Sequence, residues 1–164
     1  MESTQPSGTA AGTVYRRFLT ALNDHDLEAA ARCVDLGRYR EDCVGFTGGW
    51  VGWEEATTSL TTVWRGLPDL RVELVDVAVT DAADRGPVVL AHGTATGTAD
   101  GRLYGAPATH RRYSASYFDR VRLVDGLIVE RVQQADVLGQ MRQLYGRALG
   151  SVGISAMLCR LPST

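Results

Sequence analysis

An α+β domain is predicted by the way the apolar period changes along the chain. Apolar residues recur at three- and four-residue spacing as far as Trp64, and alternate by two from Leu70 to Ala135. A length of 164 residues fits one domain and can enclose a real core, with room for a small-molecule pocket. Val124-Asp125-Gly126 joins two of the alternating runs as a hairpin, so that part of the sheet is antiparallel.

The elements follow in order. Residues 1–12 read as a flexible start, 13–146 as the single domain, and 147–164 as a C-terminal tail. Val14, Tyr15, Phe18, Leu19 and Leu22 form one stripe on a first helix that opens at Thr13. Asn23-Asp24-His25-Asp26 breaks it, and Asp26 caps a second helix over residues 27–34. Residues 39–46 form a short strand candidate. A third helix over 53–64 is ended by Gly66 and Pro68. Residues 70–79 are strand-like with a slip of phase between Leu74 and Val75, the signature of a β-bulge. Residues 81–87 are a loop, 88–98 a strand, and 97–109 a long turn. Strands over 113–123 and 127–135 follow, then a terminal helix over 140–149.

Composition removes several kinds of chemistry. The net charge of −2 offers no basic field for a nucleic-acid backbone. No apolar run is long enough to span a membrane, and the polar first eight residues lack a signal peptide's pattern, so a cytoplasmic protein is expected. All 17 basic residues are arginine, which excludes a lysine Schiff base and a phosphate-loop lysine. Cys33, Cys43 and Cys159 have no metal-type spacing and read as reduced thiols; His25, His92 and His110 form no zinc motif. No metal or cofactor is expected.

The strand over 113–123 is the informative one. Its odd phase is apolar apart from Asp119, and a carboxylate placed there must be paired, hydrogen-bonded or protonated. Asp119 is therefore either a pocket acid/base or one half of a structural ion pair. A three-residue hairpin loop with Gly126 at positive φ would pair Leu123 with Leu127, Asp119 with Arg131, and Tyr117 with Gln133. His92, in mid-strand, reads as a pocket residue or as an ordinary strand histidine. Asp136 reads as a helix cap first and a pocket carboxylate second. Trp50, Trp53, Trp64, Tyr15, Tyr39 and Tyr104 could stack on a planar ligand or simply fill the core.

Several local strings, in this order, resemble the SnoaL-like polyketide cyclases: Asn23-Asp24-His25-Asp26-Leu27, Leu67-Pro68-Asp69-Leu70, Gly105-Ala106-Pro107-Ala108-Thr109 and Asp125-Gly126-Leu127-Ile128-Val129-Glu130. Asp136-Val137-Leu138-Gly139 and Gln143-Leu144-Tyr145-Gly146 complete the set. The resemblance implies a cone-shaped barrel, a curved antiparallel sheet around helices with an internal pocket, and pairing through the sheet's outer face. The even residues Ser114, Ser116, Phe118, Arg120 and Arg122 suit such a wet contact, so a homodimer is expected. The resemblance also implies cofactor-free ring closure by an intramolecular aldol step in aromatic polyketide antibiotic biosynthesis. The chain departs from the family in one respect: Glu130-Arg131-Val132-Gln133 stands where it usually reads Glu-His-Trp-Asp, so Gln133 replaces its acid/base aspartate.

The resulting expectation is a cofactor-independent cyclase for a polyketide-type substrate. Asp119, His92 and Gln133 are its catalytic candidates, and Tyr15, Trp64, Tyr117, Arg131 and Asp136 its substrate-binding candidates. A hydroxylase or epoxide-opening cyclase on the same scaffold, or a binding protein without catalysis, are the alternatives.

Overall fold

Tyr15, Phe18 and Leu19 turn one side of the first helix into the core, each less than 5% exposed. The computed structural model describes residues 7–43, 49–82, 86–103 and 105–146. Its elements are α1 (Ser7–Asn23), α2 (Leu27–Ala31), β1 (Arg40–Cys43), α3 (Trp53–Gly66), β2 (Arg71–Ala82), β3 (Gly86–Thr98), β4 (Arg112–Val124), β5 (Leu127–Ala135) and α4 (Val137–Tyr145). The α+β class holds. The strands form one open sheet in the order β1-β5-β4-β3-β2, antiparallel except for β1, which runs parallel to β5. The expected curved antiparallel sheet around helices is therefore present, open at its edges and with one parallel pair added by β1.

Helix boundaries differ from the periodicity where small residues carry the packing. The helix α1 begins at Ser7, six residues before the expected start at Thr13. Gly12 faces β2, where a Cβ would meet Val79 Cγ2 at 3.5 Å, an ordinary packing contact. Asp26 caps α2 as predicted, accepting from the Ala29 amide at 2.8 Å. That helix stops at Ala31, short of Val34, because Cys33 and Asp35 exchange backbone hydrogen bonds with Ile128 of β5. The expected N-terminal segment up to residue 6 and the tail 147–164 lie outside the described residues, as do Phe46, Tyr104 and Cys159.

Two bulges set which side chains face inward. The first is the predicted one in β2: the β2–β3 register shifts between Leu74 and Asp76, and Val75 is left 61% exposed. The second corrects the hairpin. Asp125 and Gly126, at φ 53° and 77°, form a two-residue turn that pairs Val124 with Leu127 and Leu123 with Ile128. The β4–β5 register then shifts, so Arg122 pairs with Glu130, Val121 with Arg131 and Asp119 with Gln133. A two-residue turn alone would send Arg131 to the outer face; the extra residue on β5 restores the parity. Arg131 is thus diagonal to Asp119, not opposite it, and Tyr117 stands opposite Ala135 rather than Gln133.

Along β4 the odd residues Tyr113 to Leu123 are buried, and the even ones up to Phe118 are exposed. The buried face meets α1, α2 and α3 in one apolar cluster around Tyr15, Phe18, Val89, Val121 and Ile128. A second cluster, around Leu67, Tyr113, Tyr117 and Leu144, is closed by α4. Removing a large aromatic such as Phe18 from this interior costs about 3–5 kcal/mol. Among the described residues, no helix is long and apolar enough to cross a membrane.

Candidate active site

A cavity of about 130 Å³ opens between the inner face of the sheet and helices α1 and α3. Its walls are mainly apolar, with Trp53 and Trp64 contributed by α3 and Tyr113 and Tyr117 by β4. The polar side is narrow. Glu41 and Cys43 of β1 stand beside Arg131 and Gln133 of β5, because the parallel pairing sets Glu41 against Arg131 and Cys43 against Gln133.

Arg131 organises this side. Its Nε donates to both carboxylate oxygens of Asp119 at 3.1 Å, its Nη1 to Glu41 Oε2 at 2.9 Å, and its Nη2 to the Tyr117 hydroxyl at 2.9 Å. Three of its five N–H groups are engaged by these bonds. The guanidinium also lies 5.6 Å from the centroid of the Phe18 ring. Burial alone would lower its pKa, but the negative charges of Asp119 and Glu41 beside it hold it well above its usual value.

Asp119 sits behind that guanidinium. Its side chain is wholly buried and absent from the cavity wall, whereas the Glu41 side chain is 11% exposed and lines it. The Tyr15 hydroxyl donates to Asp119 Oδ2 at 2.9 Å and the Tyr117 hydroxyl donates to the same oxygen. Burial raises the Asp119 carboxyl above the ordinary carboxylate range, against the opposing pull of Arg131 and of the two phenols. Both phenols are pushed far up by burial, so they remain neutral donors.

The expected site residues therefore divide. Tyr117, Arg131, Gln133 and Trp64 line the cavity. Asp119 and Tyr15 join them one layer back through Arg131 and Tyr117. His92 and Asp136 do not line the cavity: the expected pocket place of His92 is corrected, and Asp136 takes the first of its two readings, the helix cap. His92 lies on the outer face of the sheet, stacked at 4.6 Å on the half-exposed Phe118, with Asp76 3.7 Å away. It fell there because its strand alternates, and the buried phase is that of Ala91, Gly93 and Ala95. Asp136 is exposed and caps α4, accepting from the Gly139 amide at 2.8 Å.

Glu41 and Cys43 were missed as site residues. A four-residue strand reading Arg-Glu-Asp-Cys carries no apolar alternation, and its parallel partner is 90 residues away in sequence. Tyr39, which was considered for stacking, instead donates from its hydroxyl to Glu41 Oε2 at 2.7 Å, and its ring meets Trp53 edge-on at 5.4 Å. The Cys43 thiol donates to Gln133 Oε1 at 3.1 Å, and burial pushes its pKa up to about 12. It is a protonated neighbour, not a nucleophile. Trp50 is 47% exposed and carries the Arg40 guanidinium over its ring, away from the cavity. His25 stacks on Trp64 at 4.4 Å and holds the turn between α1 and α2 against α3. Among the described residues, no group of three or more His, Cys, Asp and Glu side chains is placed to hold a metal ion.

An apolar, partly enclosed chamber with a guanidinium, an amide and one carboxylate on a single wall can hold a planar ligand and bind a developing oxyanion. A family model described as SnoaL-like polyketide cyclase matches residues 12–144. The nogalonic acid methyl ester cyclase of Streptomyces nogalater is 36% identical over 94 residues, covering 57% of this chain and 60% of that relative. The matched region thus spans less than two thirds of the relative's length. Among solved structures, one named as a SnoaL-like polyketide cyclase from Jannaschia sp. CCS1 is similar at a TM-score of 0.75, with 20% identity over 88% of this chain and 97% of that one. IdmH from Streptomyces antibioticus, also named as a polyketide cyclase, gives a TM-score of 0.70 at 20% identity over 81% and 96%. These two likenesses concern the fold.

Proposed function

The chain belongs to the SnoaL-like polyketide cyclase family, and we propose that it closes a ring in a polyketide-type ester of the nogalonic acid methyl ester class. The reaction is an intramolecular aldol addition run by acid–base chemistry without a cofactor, as a step in making an aromatic polyketide antibiotic. The observation that carries this reading is Arg131. It is a buried cation on the wall of an otherwise apolar cavity, fixed from behind by Asp119 and from the side by Glu41. A fixed cation in a low-dielectric pocket stabilises an enolate oxygen more in the transition state than it stabilises the neutral ketone.

Each part of the wall has a task in that reaction. The rings of Trp53, Trp64 and Tyr113 hold the planar body of the substrate in a folded, near-attack conformation. Arg131 holds the carbonyl oxygen that becomes the enolate. Gln133 adds an amide hydrogen bond to a second oxygen, a role open to glutamine, which cannot itself carry a proton near neutral pH. Asp119 is a positioning residue: with Tyr15 and Tyr117 it fixes the guanidinium plane. The protein acts as a homodimer paired through the outer face of the sheet, where Phe118 and Leu90 are 51% and 44% exposed.

Incubation with nogalonic acid methyl ester, followed by mass spectrometry and NMR of the product, tests this. The expected product has an unchanged mass and one new ring. A gain of one oxygen indicates a hydroxylase, a gain of one water indicates epoxide opening, and unaltered substrate held tightly by the protein indicates a binding role.

A further inference from the structure

We propose that Glu41 is the catalytic base of this cavity: it takes the proton from the substrate carbon next to the activated carbonyl and returns it to the new alkoxide. The proposal rests on the cyclase reading and deepens it.

Glu41 is the single carboxylate on the cavity wall among the described residues. The other ionisable groups there are unsuited to accept a proton. Arg131 is a cation held far above neutrality, the Cys43 thiol is pushed up to about 12, and burial raises the phenols of Tyr39, Tyr113 and Tyr117. Asp119 is the strongest rival by chemistry but is sealed off: its side chain has no exposure, and Arg131 and Tyr117 stand between it and the cavity.

The hydrogen bonds of Glu41 fit a base. Both of its described donors, the Tyr39 hydroxyl and Arg131 Nη1, go to Oε2. Oε1 receives no hydrogen bond from a described residue, so one oxygen anchors the side chain while the other is available to a substrate. The same guanidinium touches Glu41 and lines the cavity, so the carbonyl oxygen on Arg131 brings its neighbouring carbon to the carboxylate.

The proton and electron balance closes without a co-reactant. The carboxylate removes the carbon-bound proton, and that C–H pair becomes the enolate, its oxygen held by Arg131. The enolate carbon bonds to a second carbonyl carbon in the same molecule, whose π pair moves to oxygen. Glu41, now a carboxylic acid, gives the proton to that alkoxide and is restored. Substrate and product are isomers.

Nogalonic acid methyl ester in D₂O is the probe, with cyclisation and carbon-bound deuterium both followed by mass spectrometry. The wild type is expected to cyclise it and to exchange its acidic carbon protons. Glu41→Gln, which keeps the size of the side chain and one anchoring oxygen, should lower both by about 10²–10⁴-fold, with substrate still bound and the protein folded at a lower melting temperature, since buried Arg131 loses one charged partner. If E41Q does not fold, Glu41→Asp carries the test: the carboxylate is withdrawn by one methylene, and exchange should fall about tenfold or more. Wild-type exchange in a folded E41Q or E41D protein overturns the assignment while leaving the cyclase reading in place. A wild type that neither cyclises nor exchanges the probe overturns both.

Discussion

Gln133 stands directly opposite Asp119 in the β4–β5 register, yet Gln133 reaches the cavity and Asp119 does not. The two side chains leave the same face of the sheet. Asp119 is drawn under Arg131 and capped by Tyr15 and Tyr117, whereas Gln133 lies on the cavity wall beside Cys43 of β1. The buried carboxylate is thereby kept off the cavity wall and tied to Arg131, which lines it.

Asp119→Asn should therefore act mainly on stability. It leaves Arg131 buried with one charged partner fewer, a change on the order of 3–5 kcal/mol when a buried pair is broken. Turnover per folded molecule should fall about tenfold or less, and the pH profile of kcat should keep its shape, because the proton acceptor is untouched. Thermal melts beside rate–pH curves check this. A folded variant whose acid-side limb disappears, the limb on which a general base is lost to protonation, would make Asp119 itself the base.

His92→Ala and Asp136→Ala separate the outer surface from the site. His92 contacts Phe118 and Asp76 on the far face of the sheet, so kcat/KM should stay within about twofold of wild type, an energy well under 1 kcal/mol. Asp136→Ala should lower stability by about 1 kcal/mol through loss of the α4 cap, again with little change in rate. Steady-state kinetics and denaturant melts of both variants decide. A loss of 10²-fold in kcat/KM for His92→Ala would place the reaction on the wrong side of the sheet.

Acid sensitivity should come from the outer ion cluster. Burial would raise the Glu130 carboxyl, but hydrogen bonds from Arg40 and Arg120 and the charge of Arg122 hold it below its ordinary value. Asp69 is held low in the same sense by the Thr98 amide and hydroxyl, against its partial burial. A carboxyl depressed in the folded state stabilises above its unfolded pKa, about 4, and that contribution is lost as pH falls through the folded value. Melting temperatures between pH 7 and 3 should therefore drop less steeply for Glu130→Gln than for wild type. Parallel curves for the two proteins would remove Glu130 from the acid transition.

Much of this frame was legible in the sequence because its signals are local. The Asp26 cap, the β2 slip at Val75 and the inward phase of Asp119 are each written within a few neighbouring residues. The β4–β5 register was not. Leu127-Ile128-Val129 is uniformly apolar, so alternation could not show that one residue of β5 is extra. The carboxylate of the cavity was hidden for a different reason. Glu41 lies in a short polar strand, and it gains meaning only through parallel pairing with Arg131 far along the chain. The depth of Asp119 likewise depends on Tyr15, 104 residues away. Long-range pairing has no period to read.

The most direct measurement is a crystal structure of the Glu41→Gln protein with nogalonic acid methyl ester bound, the variant chosen so that substrate persists. The expected map shows a substrate carbonyl oxygen within about 3 Å of Arg131 and the adjoining carbon against the side chain at position 41, with Asp119 still enclosed behind Arg131. A substrate that sits against Asp119, or that leaves Arg131 and position 41 without contact, would contradict this assignment of the reaction.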